Sequence, residues 1–247
     1  MCDRLPSTDL GVVFALGIEA GGLVDHLSGL TTLRGRGFVA RQGQLHGRAV
    51  VLIQSGAGRR QAAQATEALI DGHRPRWVFS AGFAGALQES LRRGQIVVAD
   101  TLVDMADEQC LAGAELPAWL GAFPQVRVGR LLTADHVVRL PGEKRALGEK
   151  YAALAVDMES LAVATVCRRR SVPYLAVRVI CDELLDQLPP DVEKLLAQKT
   201  GAGRLGAAVG SIFRRPSCVK DLWQLQANAL LASDRLAGFL AQAITHL

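Results

Sequence analysis

The sequence predicts an α/β fold, and two features of its patterning support that prediction. Short apolar segments, several of them rich in β-branched residues, alternate with longer segments of helical period. Glycine-rich turns follow two of the apolar segments, as expected where a strand passes into the next connection. The 247 residues, of which 49% are hydrophobic, suffice for one large domain or two small ones with a substantial core.

The apolar segments are predicted strands, and the segments of helical period are predicted helices. In chain order, the predicted strands are Gly11–Leu16, Ala49–Ile53, Trp77–Phe79, Ile96–Ala99, Val126–Leu132 and Leu175–Ile180. The predicted helices between them are Arg59–Asp71, Gly142–Lys150 and Met158–Arg170. From about Pro189 the pattern is helical to the end, with one interruption near Pro216. We therefore expect a single domain, residues 1–247, with a helical C-terminal extension from about residue 190.

Two glycine-rich segments mark the expected position of a ligand site. Ser55–Gly58 and Ala81–Gly85 each follow a predicted strand. In open α/β sheets, ligands bind outside the carboxyl ends of the strands. We expect the chemistry of the protein to lie beside these two segments.

The C-terminal segment carries an apolar stripe with a partly basic reverse side. Leucine and alanine recur at helical spacing between Leu222 and Leu240, and basic residues outnumber acidic ones beyond residue 200. We prefer helices that pack on the sheet or on a second subunit. A helix that lies on a membrane surface is the alternative.

Composition and charge exclude several classes of protein. Lys and Arg total 28 against 24 Asp and Glu, and the resulting net charge of +4 is too small to predict nucleic-acid binding. The composition is far from that of disordered or collagen-like chains. The five cysteines are scattered, and no apolar run approaches the ~18 residues of a membrane span, so we expect a cytoplasmic protein.

Other kinds of site find little support in the motifs. Gly56-Ala-Gly58 imitates the start of a dinucleotide-binding fingerprint, but the third glycine and the later acidic residue are missing, so a nicotinamide enzyme is a minor alternative. The five histidines are isolated, and the sequence has no Cys-x-x-Cys or His-x-x-x-His pair, so we predict no metal site. Ser80 lacks the glycine and the partners of a nucleophile elbow.

Three acidic residues interrupt apolar stretches at predicted element boundaries. Glu19 follows the first strand, Glu159 lies near the start of a helix, and Asp182 ends the strand that contains Val177 and Ile180. Each alone is explained as a helix-terminal or strand-end carboxylate. Together, at the carboxyl ends of strands, they predict a converging site.

The chain resembles the superfamily of purine nucleoside phosphorylases and 5′-methylthioadenosine/S-adenosylhomocysteine nucleosidases. The matching pieces occur in family order: Glu19, Ser55–Gly58, Gly82–Gly85, Gly94–Asp100, Val156–Ser160 and Val177–Asp182. The resemblance implies a three-layer αβα sandwich with a central mixed, partly parallel sheet. Ser80–Leu87, Asp157–Ser160 and the region from Leu188 to Pro216 look most like the hopanoid-associated branch, whose members are implied to remove adenine from adenosylhopane.

The resemblance implies a role for each candidate residue in breaking the bond between ribose and purine. Asp182 would donate a proton or a strong hydrogen bond to N7 of adenine, and the apolar strand around it would raise its pKa. Glu159 would bind the ribose hydroxyls and stabilise the sugar cation, with Met158 against the sugar face. Glu19 and Arg178 would hold the nucleophile, for which backbone N–H groups at Gly82 are further donors.

Two positions depart from the nucleosidase pattern. Phe83 replaces a serine that helps to hold the nucleophile, and Val137 replaces an aromatic residue that stacks on the base. Both changes make the pocket more apolar, which suits a bulky apolar 5′-substituent.

The sequence leaves three questions open. We favour water as the nucleophile, whereas a phosphorylase would use orthophosphate as a co-substrate. A nucleoside-binding protein without turnover is an alternative of another class. No metal or redox cofactor is implied. Family resemblance implies a homo-oligomer, at least a dimer. If the substrate is a lipid, the basic residues near Arg214 would favour contact with an anionic membrane surface.

Overall fold

A computed structural model describes residues 8–35, 37–112, 116–190, 192 and 218–247, and in the last range the side chains from residue 227 onward. The strands are β1 (Leu10–Phe14), β2 (Ser28–Arg34), β3 (Val39–Leu45), β4 (Arg48–Gln54), β5 (Trp77–Ala86), β6 (Ile96–Asp104), β7 (Cys110–Ala112), β8 (Arg127–Thr133), β9 (Ala155–Asp157) and β10 (Tyr174–Asp182). The helices are α1 (Gly17–Val24), α2 (Arg59–His73), α3 (Pro141–Tyr151), α4 (Ser160–Arg169) and α5 (Cys218–Ala243), and the 3-10 helices are Ala118–Ala122 and Ile244–His246.

The strands form one mixed sheet in the order β10-β6-β8-β9-β5-β1-β4-β3-β2, with β7 beside β6. Strand β1 lies parallel to β4 and β5, and β5 is parallel to β10. Strand β10 also pairs antiparallel with β6, and the pairings of β6 with β8, β8 with β9 and β9 with β5 close a circuit of five strands. The predicted α/β fold with a mixed, partly parallel sheet is confirmed.

Helices cover both faces of the sheet, because successive residues of a buried strand point to opposite sides. Val12 packs in a cluster with Leu236 of α5, whereas Val13 packs in a second cluster with Leu69 of α2. Gly11, on the same strand, allows α2 to approach β1 closely, because a Cβ atom at Gly11 would lie 2.7 Å from Cδ2 of Leu69. These contacts build the three layers that the resemblance implies.

The predicted elements differ from the observed ones in ways that matter for the site. Strand β5 continues through Ala81–Gly85. The glycines of this segment therefore lie within a strand, whereas the sequence predicts a turn. Helix α4 begins at Ser160, which leaves Met158 and Glu159 in the connection from β9. Strands β2, β3, β7 and β9 were not predicted.

Helix α5 packs on the sheet. Its residues Ala232, Leu236 and Leu240 are buried in the same cluster as β1, as preferred for the C-terminal stripe. No helix in the described part of the chain is long and apolar enough to cross a membrane. The predicted interruption near Pro216, the membrane contact near Arg214 and most of the predicted extension before Cys218 lie outside the described residues.

Candidate active site

A cleft lies at the carboxyl ends of the parallel strands, where the sequence predicts a site. Its empty volume, including space open to solvent, is about 810 Å³. Its lining residues come from β5, from the start of α1, from the ends of β9 and β10, and from the segments after β1, β4, β8, β9 and β10. They are Ala15, Leu16, Glu19, Ala57, Phe83, Ala84, Gly85, His136, Val137, Val138, Val156, Asp157, Met158, Glu159, Cys181, Asp182, Leu188 and Val192.

Glu19 is fixed by two backbone donors at one end of the cleft. Its Oε2 accepts a hydrogen bond from the N–H of Leu16 (2.7 Å), and its Oε1 accepts one from the N–H of Phe83 (2.9 Å). Burial raises the pKa of Glu19, although both N–H groups and the nearby Arg178 act in the opposite direction. A general base works best when its pKa lies near the working pH. The raised pKa therefore suits Glu19 to that role better than the pKa of an exposed glutamate would.

Gly82 lies directly against the carboxyl group of Glu19. A Cβ atom at Gly82 would lie 2.7 Å from Oε1 of Glu19, so any side chain there would displace the carboxylate. Gly82 does not line the cleft, and the N–H that reaches Glu19 belongs to Phe83. The expectation that Gly82 holds the nucleophile through its backbone finds no support in this geometry.

Asp182 ends β10 beside a buried lysine that the sequence analysis did not single out. Nζ of Lys144, from α3, donates to Oδ2 of Asp182 at 2.5 Å. Gly85 leaves room for this carboxyl group, since a Cβ atom there would lie 2.9 Å from the same oxygen. Burial raises the pKa of Asp182, while the charge and hydrogen bond of Lys144 lower it. A protonated Asp182 is a suitable acid for a departing group.

Glu159 links β9 to the glycine-rich segment before α2. Its Oε1 accepts a hydrogen bond from the N–H of Gly58 (2.7 Å), at the N-terminus of that helix. Gly56 and Gly58 have positive φ values of 88° and 97°, which favour glycine. The helix end that a dinucleotide phosphate would need is therefore occupied by a carboxylate. Burial, followed by the charge of Asp157, raises the pKa of Glu159 to about 8.

Arg178 forms a buried ion pair with Asp157 and is close enough to Glu19 and Glu159 to lower the pKa of both. Its Nε donates to Oδ2 of Asp157 (2.7 Å) and one terminal nitrogen lies 2.6 Å from the same oxygen, while that nitrogen also donates to Oγ of Ser80 (2.9 Å). The other terminal nitrogen donates to the carbonyl of Val177 (3.1 Å). Arg178 does not line the cleft. The guanidinium predicted to hold the nucleophile is thus committed to structural partners.

Arg178→Met is expected to destabilise the fold by about 3–5 kcal/mol, because it leaves the carboxylate of Asp157 buried and unpaired. Urea unfolding followed by fluorescence measures this loss. The matched control is Arg169→Met, which removes an exposed pair with Glu67 and costs at most about 1 kcal/mol. Equal losses in the two variants would contradict the structural role assigned to Arg178.

The structure gathers most of the predicted site residues and separates two of them. Glu19, Asp182 and Glu159 line one cleft, as do the remaining three: Met158, Phe83 and Val137. Gly82 and Arg178 are not among its lining residues, although both lie near Glu19. Sequence reasoning missed Asp157, although this acid stands in the Asp157–Ser160 motif, and Lys144, which follows an ordinary helical pattern.

The ionisable groups that line the cleft are almost all acidic. Apart from the exposed His136, which pairs with Glu143, every ionisable oxygen or nitrogen group among the described lining residues is a carboxyl group. No lysine or arginine lines the described part of the cleft. The arrangement favours a ligand that becomes positively charged and disfavours a dianion.

Glu159→Gln is expected to gain stability relative to wild type as pH rises. The pKa of Glu159 is about 8 in the folded protein, above its unfolded value of about 4.5. Between these pH values the folded wild type holds a proton that the unfolded chain has released. The stability of the wild type therefore falls as pH rises from about 4.5 through 8. Thermal melting of both proteins at several pH values measures this difference. A difference in melting temperature that stays constant with pH would contradict it.

Comparison with known proteins gives a consistent match. Residues 9–115 and 106–213 match the phosphorylase superfamily. The chain is 31% identical over 196 residues to a 5′-methylthioadenosine/S-adenosylhomocysteine nucleosidase of Bacillus thuringiensis strain Al Hakam, which covers 70% of this chain and 85% of the relative.

Solved structures share the fold. The nucleosidase of the same name from Neisseria meningitidis, in complex with methylthio-immucillin-A, superposes with a TM-score of 0.74, 18% identity and coverage of 97% of this chain and 100% of that chain. Futalosine hydrolase of Helicobacter pylori superposes with a TM-score of 0.73 at 18% identity, covering 97% and 98% of the two chains.

Proposed function

The chain belongs to the phosphorylase superfamily, and from this membership and the carboxyl groups of the cleft we propose that it is an enzyme that cleaves the N-glycosidic bond of an adenine nucleoside, with water as nucleophile. The observation that carries the choice of water is the charge of the cleft. Four carboxyl groups line it, and no cationic lysine or arginine does so in the described part.

Asp182 is the proposed acid. As the bond to the base breaks, negative charge gathers on the purine, and a proton or strong hydrogen bond at N7 makes the base a better leaving group. Burial keeps Asp182 protonated to a higher pH than an exposed aspartate.

Glu159 and Met158 are the proposed partners of the sugar. The transition state carries positive charge on the ribose, and the ionised form of Glu159, whose share grows as pH rises towards its pKa of about 8, stabilises that charge while accepting hydrogen bonds from the hydroxyls. Its second oxygen is available for this, because Gly58 occupies Oε1. Met158 lines the same wall and offers an apolar contact to the sugar face.

Glu19 is the proposed base for the attacking water. Its position in the cleft, with both oxygens oriented by backbone N–H groups, allows it to accept a proton as the water attacks. An orthophosphate dianion beside Glu19 would need a compensating cation. Arg178, the predicted candidate, is already bound to Asp157 and Ser80.

Adenine release is expected to proceed at the same rate with and without orthophosphate. The assay follows free adenine and the released sugar by chromatography, after the protein has been dialysed against phosphate-free buffer containing EDTA. Because we propose no metal or redox cofactor, EDTA is expected to leave the rate unchanged. Strict dependence on phosphate, with a sugar phosphate as product, would instead identify a phosphorylase.

The proposed substrate carries an apolar 5′-substituent. Phe83, Val137, Val138 and Leu188 form an apolar part of the cleft wall, where Val192 also contributes. Adenosylhopane is the candidate that the sequence resemblance implies. A series of 5′-alkylthioadenosines of increasing chain length tests this, and we expect KM to fall with length; a KM that rises beyond methylthio would favour methylthioadenosine.

Cytoplasmic location and assembly into a homo-oligomer also belong to this proposal. Cys110, Cys167 and Cys181 are free thiols in the structure, which is in keeping with a reducing compartment. Light scattering coupled to size exclusion measures the molar mass, and a 26.4 kDa particle would contradict an oligomer.

A further inference from the structure

Lys144 is a fully buried lysine with three oxygen partners. Its exposed fraction is 0%. Its Nζ donates to Oδ2 of Asp182 (2.5 Å) and to the backbone carbonyls of Glu183 (2.8 Å) and Asp186 (3.0 Å). An ammonium group has three donors, and all three are used here.

Complete burial of a lysine requires a compensating partner, because lysine is almost never fully buried unpaired. The two carbonyls hold the ammonium in place, and the third donor is aimed at one oxygen of the proposed acid. Lys144 comes from α3, whereas Asp182 ends β10, so this contact connects two separate elements across the wall of the cleft.

We propose that Lys144 is a positioning residue for the departing base, acting through Asp182, and this inference rests on the proposed function. The ammonium occupies Oδ2. The transferable proton of Asp182 therefore lies on Oδ1, which is the oxygen left for the base. Lys144 also stabilises the carboxylate that remains after the proton has been transferred.

The proton balance of the reaction is complete with these groups. The oxygen of water bonds to C1′ of the sugar while one of its protons passes to Glu19. The bond between C1′ and the purine breaks, its electron pair stays on the base, and the proton of Asp182 passes to N7. Asp182 is left as a carboxylate beside the ammonium, and exchange with solvent restores both carboxyl groups to their starting states.

An acid held only by apolar surroundings keeps its proton but donates it poorly. The cation beside Asp182 lowers its pKa and so favours transfer. The other groups facing the pair are Asp186, which raises the pKa of Asp182, and Arg93, which lowers it. Arg93 and Asp186 also pair with each other at 2.5 Å. The effects of Asp186 and Arg93 on the pKa of Asp182 oppose one another. Lys144 lowers that pKa more than Arg93 does.

The test compares Lys144→Met, Lys144→Gln and the control Lys150→Met. Lys150 lies on the same helix but is exposed and pairs with Glu108 (2.6 Å). We expect both Lys144 variants to lower kcat for adenine release by about 100-fold, with KM within about threefold of wild type. The fall of kcat at high pH should move to higher pH, because loss of the cation raises the pKa of Asp182. Lys150→Met should match wild type.

The double variant Lys144→Met/Asp182→Asn separates a positioning role from a structural one. If Lys144 acts through Asp182, the double variant is expected to have the kcat of Asp182→Asn alone. Multiplicative losses, an unchanged pH profile, or failure of both Lys144 variants to fold would overturn the proposal. A wild-type protein that releases no adenine, or an Asp182→Asn variant with full activity, would instead refute the proposed function.

Discussion

Asp182→Asn is expected to lower kcat for adenine release by about 10²- to 10⁴-fold while leaving the affinity for the nucleoside within a few fold. Asparagine has the shape of aspartate, its carbonyl oxygen can still accept the hydrogen bond from Lys144, and its amide can still donate to the base. It has no proton to transfer. The base must therefore leave as an anion, and the penalty falls on the chemical step.

The measurement is kcat and KM from initial rates, with nucleoside affinity taken separately from calorimetric titration of the inactive variant. Asp71→Asn is the control, because this exposed aspartate pairs with Arg170 far along α2 and is expected to leave the rate unchanged. A protein that only binds nucleosides would show no adenine release to lose. Loss of affinity together with activity would mean that Asp182 serves binding and not proton transfer.

The sequence predicts the buried strands of the sheet better than the strands at its edge. Strands β4 and β10 bury continuous apolar runs, and such runs are visible in sequence. Strand β2, by contrast, is exposed along its whole length and contains glycine and two threonines, so no burial pattern marks it. Its order comes from pairing with β3, which is a tertiary property.

The carboxyl groups of the cleft were predictable because acids are conspicuous at the ends of apolar segments. Glu19 comes shortly after a buried strand and Asp182 ends another, and an acid next to an apolar run stands out in the sequence because burying it is costly. The cationic partners were not predictable in the same way. Arg178 was assigned to the nucleophile, whereas packing places it on Asp157. Lys144 stands among other charged residues of α3, and only the fold shows that it alone is buried to 0% exposure.

Glu19→Gln is expected to lower kcat by a similar factor of about 10²- to 10⁴-fold, and to remove the part of the rise of kcat with pH that comes from ionisation of Glu19. A general base must be ionised, so wild-type activity rises as pH passes upward through the pKa of Glu19, which burial raises. Glutamine cannot accept the proton of the attacking water at any pH. Its amide nitrogen also faces one of two backbone donors, Leu16 or Phe83, which destabilises the variant.

That local cost makes a measure of folding part of the experiment. The kcat of Glu19→Gln is divided by the folded fraction from thermal melting, and Glu89→Gln, an exposed glutamate that pairs with Arg145, is the control. If Glu19 acts as the base, the corrected kcat stays low at every pH, and any rise that remains follows the ionisation of Glu159 near pH 8. A corrected kcat near wild type would assign water activation to another group and leave Glu19 only its role in joining α1 to β5.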